Sequence, residues 1–133
     1  HHLKVKVVVV LGHEMCGAVK AAQLPQEKLE QEPSELEQAL KNIKAGLDAG
    51  SLQHILDPRA LDREAVTTNV KQQVERLARD KRIMGKVRRR ELLVVGGFYE
   101  ISSGIVDFFH EITSTNSLPS PGVQGCYNPD AAK

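Results

Sequence analysis

The residues of this 133-residue sequence whose types and spacing point most directly to chemistry are His13 and Cys16. Glu14 and Met15 separate them, and Gly12 and Gly17 flank them. One turn of chain can bring an imidazole nitrogen and a sulfur onto the same ion, and imidazole with thiolate is a donor pair suited to Zn2+. Gly12 and Gly17 leave room for close backbone approach, which makes them candidate pocket residues. A lone His-x-x-Cys also arises by chance, and the competing reading is a capped turn carrying a buried cysteine.

The elements around this turn decide what it can do. Val5-Lys6-Val7-Val8-Val9-Val10-Leu11 is a nearly continuous β-branched run. It predicts a strand buried on both faces, typical of a parallel sheet, with Gly12 ending it. A helix is expected from near Cys16 through Ala18, Val19, Ala21 and Ala22. His13 then stands at the carboxyl end of a parallel strand, the edge where open α/β sheets bind ligands. Cys16 opens a helix, whose N-terminal partial charge favours the thiolate that metals bind.

Further along, Gln23 to Pro33 reads as a polar loop. Ser34 with Glu37 makes a capping box for a helix with the stripe Leu36, Leu40, Ile43 and Leu47, stopped by Gly50. Asp57-Pro58 reads as a turn, and Asp62 as the cap of a helix with the stripe Val66, Val70, Val74 and Leu77. Leu92-Leu93-Val94-Val95 predicts a second buried strand, closed by Gly96-Gly97. Phe98 to Ile101, Ser102-Ser103-Gly104 and Ile105 to Phe109 read as a hairpin or a sharp return. The expected fold class is α/β: a small, mainly parallel sheet flanked by helices, with an antiparallel return strand. The expected domain covers residues 1–112, with a loose tail over 113–133. So small a sheet leaves apolar faces and an edge uncovered, which predicts strands supplied from elsewhere and self-association.

Composition narrows the function classes. Hydrophobic residues make up 41%, charged residues 26% and aromatics 4%, so the core must be built from Val, Leu, Ile and Ala. A formal net charge of +1 does not call for nucleic acid or an anionic membrane. The basic stretch Lys81, Arg82, Lys86 and Arg88-Arg89-Arg90 lacks interleaved aromatics for base stacking and reads as a solvated helix end and loop. Nothing approaches the roughly 20 apolar residues of a membrane span. The sequence opens without a signal-peptide pattern, and Cys16 and Cys126 are too few for a disulfide framework. A reducing, cytoplasmic location is the expectation. His54 and His110 stand outside any ligand spacing and read as structural or surface residues.

Two blocks of sequence resemble a known family. Val7 to Leu11 followed by Gly12-His13-Glu14-Met15-Cys16-Gly17-Ala18-Val19 is similar to the strand–Gly-His-x-x-Cys-Gly-Ala motif of β-class carbonic anhydrases. Asn69-Val70, Gln73 and Leu77, then Leu92 to Gly97, Phe98-Tyr99-Glu100 and Ser103-Gly104-Ile105-Val106, resemble that family's later helix, strand and turn. Together the blocks cover roughly Leu3 to Phe109.

The resemblance implies a β-carbonic anhydrase fold minus its first strands. It also implies a Zn2+ cofactor and reversible hydration of carbon dioxide to bicarbonate in a homodimer or larger homo-oligomer. His13 and Cys16 match the family's His and second Cys ligands. The first Cys ligand belongs to an upstream Cys-x-Asp-x-Arg motif that this sequence does not contain, so the motif's Asp–Arg pair is absent as well. No catalytic residue is therefore assigned. With two ligands the chain alone is expected to bind zinc poorly and turn over little. Cys126 as a replacement ligand, a ligand from a second chain, or a complementing upstream segment remain open. The alternative is a non-catalytic, metal-poor homologue acting as an oligomerisation or anion-binding module. Glu14 and Met15 fall at variable family positions and receive no role.

Overall fold

The computed structural model of the chain describes residues 4–113. The element order is β1 (Val7–His13), α1 (Gly17–Ala22), α2 (Gln26–Leu29), α3 (Ser34–Lys44), α4 (Ala49–Leu52), α5 (Pro58–Ala78), α6 (Lys81–Arg88), β2 (Leu93–Glu100) and β3 (Ile105–Ile112). The sheet order is β1-β2-β3: β1 runs parallel to β2, and β3 returns antiparallel to it. This is the expected α/β class, and the hairpin reading of residues 98–109 holds. The predicted tail, apart from Thr113, lies outside the described residues, as does Cys126.

Helix α5 positions everything else. Its buried stripe Ala65, Val66, Val70 and Val74 packs across the sheet. Val70 and Val74 meet Val94, Ile112, Met84 and Val87 in one cluster. Val66 and Ala65 meet Phe98, Val19 and Leu52 in another. Gly12 and Gly96 let the strands approach this helix: a Cβ on Gly96 would fall 2.8 Å from a Val70 methyl. The predicted strand end at Gly96-Gly97 is therefore wrong. Both glycines lie inside β2, which continues to Glu100, with a bulge against β3 between them. At Gly96 the sheet and α5 come too close for a side chain, whereas a Cβ on Gly97 would press on Leu11 and Phe108 of the neighbouring strands.

The expectation that β1 is buried on both faces also fails. Val8 and Val10 pack on the core, while Val9 is 46% exposed and Val7 and Leu11 are similarly open. On the same face Leu93, Val106 and Phe108 are exposed, Phe108 by 61%. The described helices pack on one side of the sheet, so a β-branched run that could be covered twice is covered once.

Local signals were read with mixed success. The Gln23–Pro33 loop contains α2, whose Leu29 is buried with Ala22 and Leu40. Ser34 is not a cap: it is the first residue of α3, and its hydroxyl bonds the Glu35 carboxylate at 2.8 Å. Glu37 instead pairs with Lys41 one turn on. Gly50 does not stop α3, which ends at Lys44; it lies within α4, capped by Asp48. Asp57, with Pro58 behind it, is the true cap of α5, accepting from the Ala60 N–H at 2.8 Å. That is the usual place for proline in a first helical turn. The basic stretch forms α6, capped by Asp80, with Met84 and Val87 turned into the core. No helix among the described residues is long and apolar enough to cross a membrane.

Candidate metal centre

His13 ends β1, and its neighbour across the sheet is Tyr99. By strand alternation its ring lies on the open face with Val7, Val9 and Leu11, and it is exposed. The ring Nδ1 stands 3.0 Å from the Glu14 carbonyl oxygen. A carbonyl only accepts, so in this contact Nδ1 carries the hydrogen, which leaves Nε2 as the nitrogen for a ligand. That is the tautomer a metal-ligating histidine adopts when its other nitrogen is tied to a carbonyl. Cys16 is a free, half-buried thiol immediately before α1, and its own carbonyl accepts from the Lys20 N–H at 3.0 Å. Imidazole and thiol thus stand at the two ends of one four-residue turn.

The turn itself is pinned at several points. The Glu14 N–H donates to the Tyr99 carbonyl at 2.9 Å, which continues the β1–β2 pairing past His13. The Glu14 carboxylate reaches the hairpin turn, accepting from the Ser102 N–H at 3.0 Å, and faces the Arg59 guanidinium at 3.4 Å. The Ser102 amide, with Arg59 adding its charge, holds the Glu14 carboxyl below the usual glutamate range. Met15 adopts φ +56°, and its N–H donates to Asp62 Oδ2 at 2.8 Å. Glu14 and Asp62 therefore have structural roles that sequence reasoning missed. One signal was available: with Asp57-Pro58 capping α5, Asp62 falls in the helix's second turn, free to bond something else.

The two glycines behave differently from one another. Gly12 makes room for α5 rather than for a ligand, since a Cβ there would strike Val66 and Val70. Gly17 has open space around the position of its absent Cβ. Beside the turn, on its α5 side, lies a cleft of about 950 Å³ whose walls include Glu14, Met15, Arg59, Asp62, Phe98 and Ile101. Neither His13 nor Cys16 lines it. Arg63 closes part of this cleft by stacking over Phe98, 4.5 Å from the ring centroid, while bonding Asp107 at 2.6 Å.

The donor chemistry of His13 and Cys16 suits zinc, but the pair does not complete a site. Among the described residues no group of three or more His, Cys, Asp or Glu could hold a metal ion. Zinc sites that do chemistry use about three protein ligands.

The family model for carbonic anhydrase matches residues 1–106. This chain belongs to the carbonic anhydrase family. Solved structures similar to it include β-carbonic anhydrases. One, described among two tetrameric enzymes of the filamentous ascomycete Sordaria macrospora, is 27% identical with a TM-score of 0.71, over 80% of this chain and 53% of that one. The Coccomyxa β-carbonic anhydrase, solved with acetazolamide, is 26% identical with a TM-score of 0.69, over 84% of this chain and 50% of that one. The enzyme CafA of Aspergillus fumigatus shares the fold at 23% identity, TM-score 0.71, over 90% of this chain and 52% of that one. No curated protein matches the sequence. The chain spans about half the length of these carbonic anhydrase structures.

Proposed function

We propose that this chain supplies two of three protein zinc ligands, His13 and Cys16, to a carbonic anhydrase that interconverts carbon dioxide and bicarbonate. The observation that carries this reading is the His13 ring, exposed at the carboxyl end of β1 with its Nδ1 3.0 Å from the Glu14 carbonyl oxygen, which leaves Nε2 outside that bond. When bound, zinc supplies Lewis acidity that brings the pKa of water towards about 7 and makes hydroxide available at neutral pH. The chain's own part is to present imidazole and thiolate from one turn. The third ligand comes from outside the described residues, from further polypeptide or from a second copy.

Association of copies belongs to the same proposal. The open sheet face bearing Val7, Val9, Leu11, Leu93, Val106 and Phe108 is apolar and exposed, and such faces mark sites of contact. The similar Sordaria enzyme is described as tetrameric. A reducing, cytoplasmic setting fits a site that needs Cys16 as a thiol.

Elemental analysis for zinc and a carbon dioxide hydration assay on the purified chain test the reading. We expect substoichiometric zinc, lost in His13→Ala and Cys16→Ser, and hydration near the uncatalysed rate. Zinc content indifferent to both substitutions overturns the ligand assignment. Tight equimolar zinc with rapid turnover overturns the incompleteness of the site. The competing reading, a metal-poor association module, gains if zinc is absent while the chain still self-associates.

A further inference from the structure

Only two residues separate His13 from Cys16, and the backbone turns between them where β1 gives way to α1. Met15 makes the reversal with φ +56°, a conformation that a residue bearing a Cβ keeps only when its surroundings hold it there. Side-chain packing does not hold it, because Met15 is 81% exposed. A hydrogen bond does: the Met15 N–H donates to Asp62 Oδ2 at 2.8 Å. Asp62 lies one turn before Val66 on α5, and Val66 packs on Gly12, the residue preceding His13. Two successive turns of one helix thus register the strand end and grip the reversal that follows it. Glu14 is held from the other side, by Tyr99 through its N–H and by the Ser102 N–H through its carboxylate.

We propose that Asp62 is a positioning residue that sets the separation of His13 and Cys16 by fixing the Met15 peptide, with Glu14 bracing the same turn from the β2–β3 hairpin. The zinc role of that pair rests on the reading above. Asp62 touches neither ligand side chain; it acts through the backbone between them. A helix residue 47 positions away therefore tunes how well the turn presents its two donors.

The test uses the full chain with Cys126→Ser, so that Cys16 is the thiol observed, and Co2+ as the probe. Cobalt bound through a thiolate gives a charge-transfer absorption that Cys16→Ser must abolish. In Asp62→Ala we expect cobalt affinity to fall about 10–100-fold, the range for losing a group that orients metal ligands. The melting temperature should stay near that of the parent. Asp62→Asn keeps a side-chain oxygen for the Met15 N–H and should restore the affinity. Two measurements on the metal-free protein accompany it: hydrogen exchange at the Met15 amide and the rate of Cys16 alkylation by iodoacetamide. Both should rise in Asp62→Ala and return in Asp62→Asn. Cobalt binding unchanged in Asp62→Ala overturns the positioning role and leaves the zinc reading standing. No thiolate band, or one that survives Cys16→Ser, sinks the zinc reading. Amide exchange and alkylation then decide alone whether Asp62 holds the turn, and values indifferent to Asp62→Ala overturn it.

Discussion

Gly12 lies so close to Val66 that a Cβ built on it would fall 2.5 Å from the Val66 Cγ1, with a Val70 methyl 2.7 Å away. Valine in a helix has one strongly preferred rotamer, so neither methyl can swing aside. Gly12→Ala must push β1 off α5 and carry His13 with it. We expect a loss of about 1–3 kcal/mol, the usual cost of overpacking, read by urea denaturation. Gly17→Ala is the control, since nothing lies near its Cβ position; its stability should stay within about 0.5 kcal/mol of the parent.

Helix α5 depends on its first turn. Asp57 accepts from the Ala60 N–H at 2.8 Å, and Pro58 follows it. Asp57→Ala should lower stability by about 0.5–2 kcal/mol, seen as a lower denaturation midpoint at unchanged slope, whereas Asp57→Asn should be nearly neutral. A midpoint unmoved by Asp57→Ala would return the capping role to another residue.

Acid should act in two stages. Burial pushes the His110 imidazole below its ordinary value of 6.5, with Glu75 opposing the shift and Lys71 of α5 adding to it. A lowered folded pKa means that the unfolded chain takes up the proton first. Stability from this group is present above pH 6.5 and is lost as pH falls through the lower folded value. Carboxylates follow. Glu14 is held below 4.5 chiefly by the Ser102 amide, Asp80 below 3.8 by the Ile83 and Arg82 amides, and Asp48 below 3.8 chiefly by the Ser51 hydroxyl. Their contributions are present above those ordinary values and disappear below them. Thermal melts across the acid range should show both stages. His110→Gln should remove the upper one, and Glu14→Gln should shrink the lower one.

The open sheet face predicts association in solution. Light scattering should report a mass above that of one chain. Val9→Lys or Phe108→Lys should shift it towards one chain, because a lysine on that face would have to be desolvated in any contact. A monodisperse single-chain species for the parent protein counts against a homo-oligomer built through this surface.

Periodicity and residue type made much of this molecule legible. The β-branched run before Gly12, the Val66–Val70–Val74 stripe and the hairpin around Ser103-Gly104 each carry their structure in neighbours a few positions away. His13 and Cys16 were singled out the same way, because a strand followed by a helix is a local pattern. What stayed hidden was carried by distance along the chain. Met15 meets Asp62 across 47 positions, and Ser102 meets Glu14 across 88. No spacing in the sequence marks either pair. Gly96 looked like a strand end because its reason for being glycine, a Val70 methyl 2.8 Å from the missing Cβ, sits on another element.

The amino-acid order by itself determined strand β1, the start of β2, the helices α3 and α5 and where imidazole and thiol fall relative to β1 and α1, because those outcomes depend on backbone preference and on side chains within a turn or two. The tertiary structure alone decided which face of β1 is covered, which strand glycine must clear a helix and which aspartate grips Met15. Those outcomes depend on two surfaces arriving at the same place, and burial and hydrogen bonding between them exist only after the chain has folded.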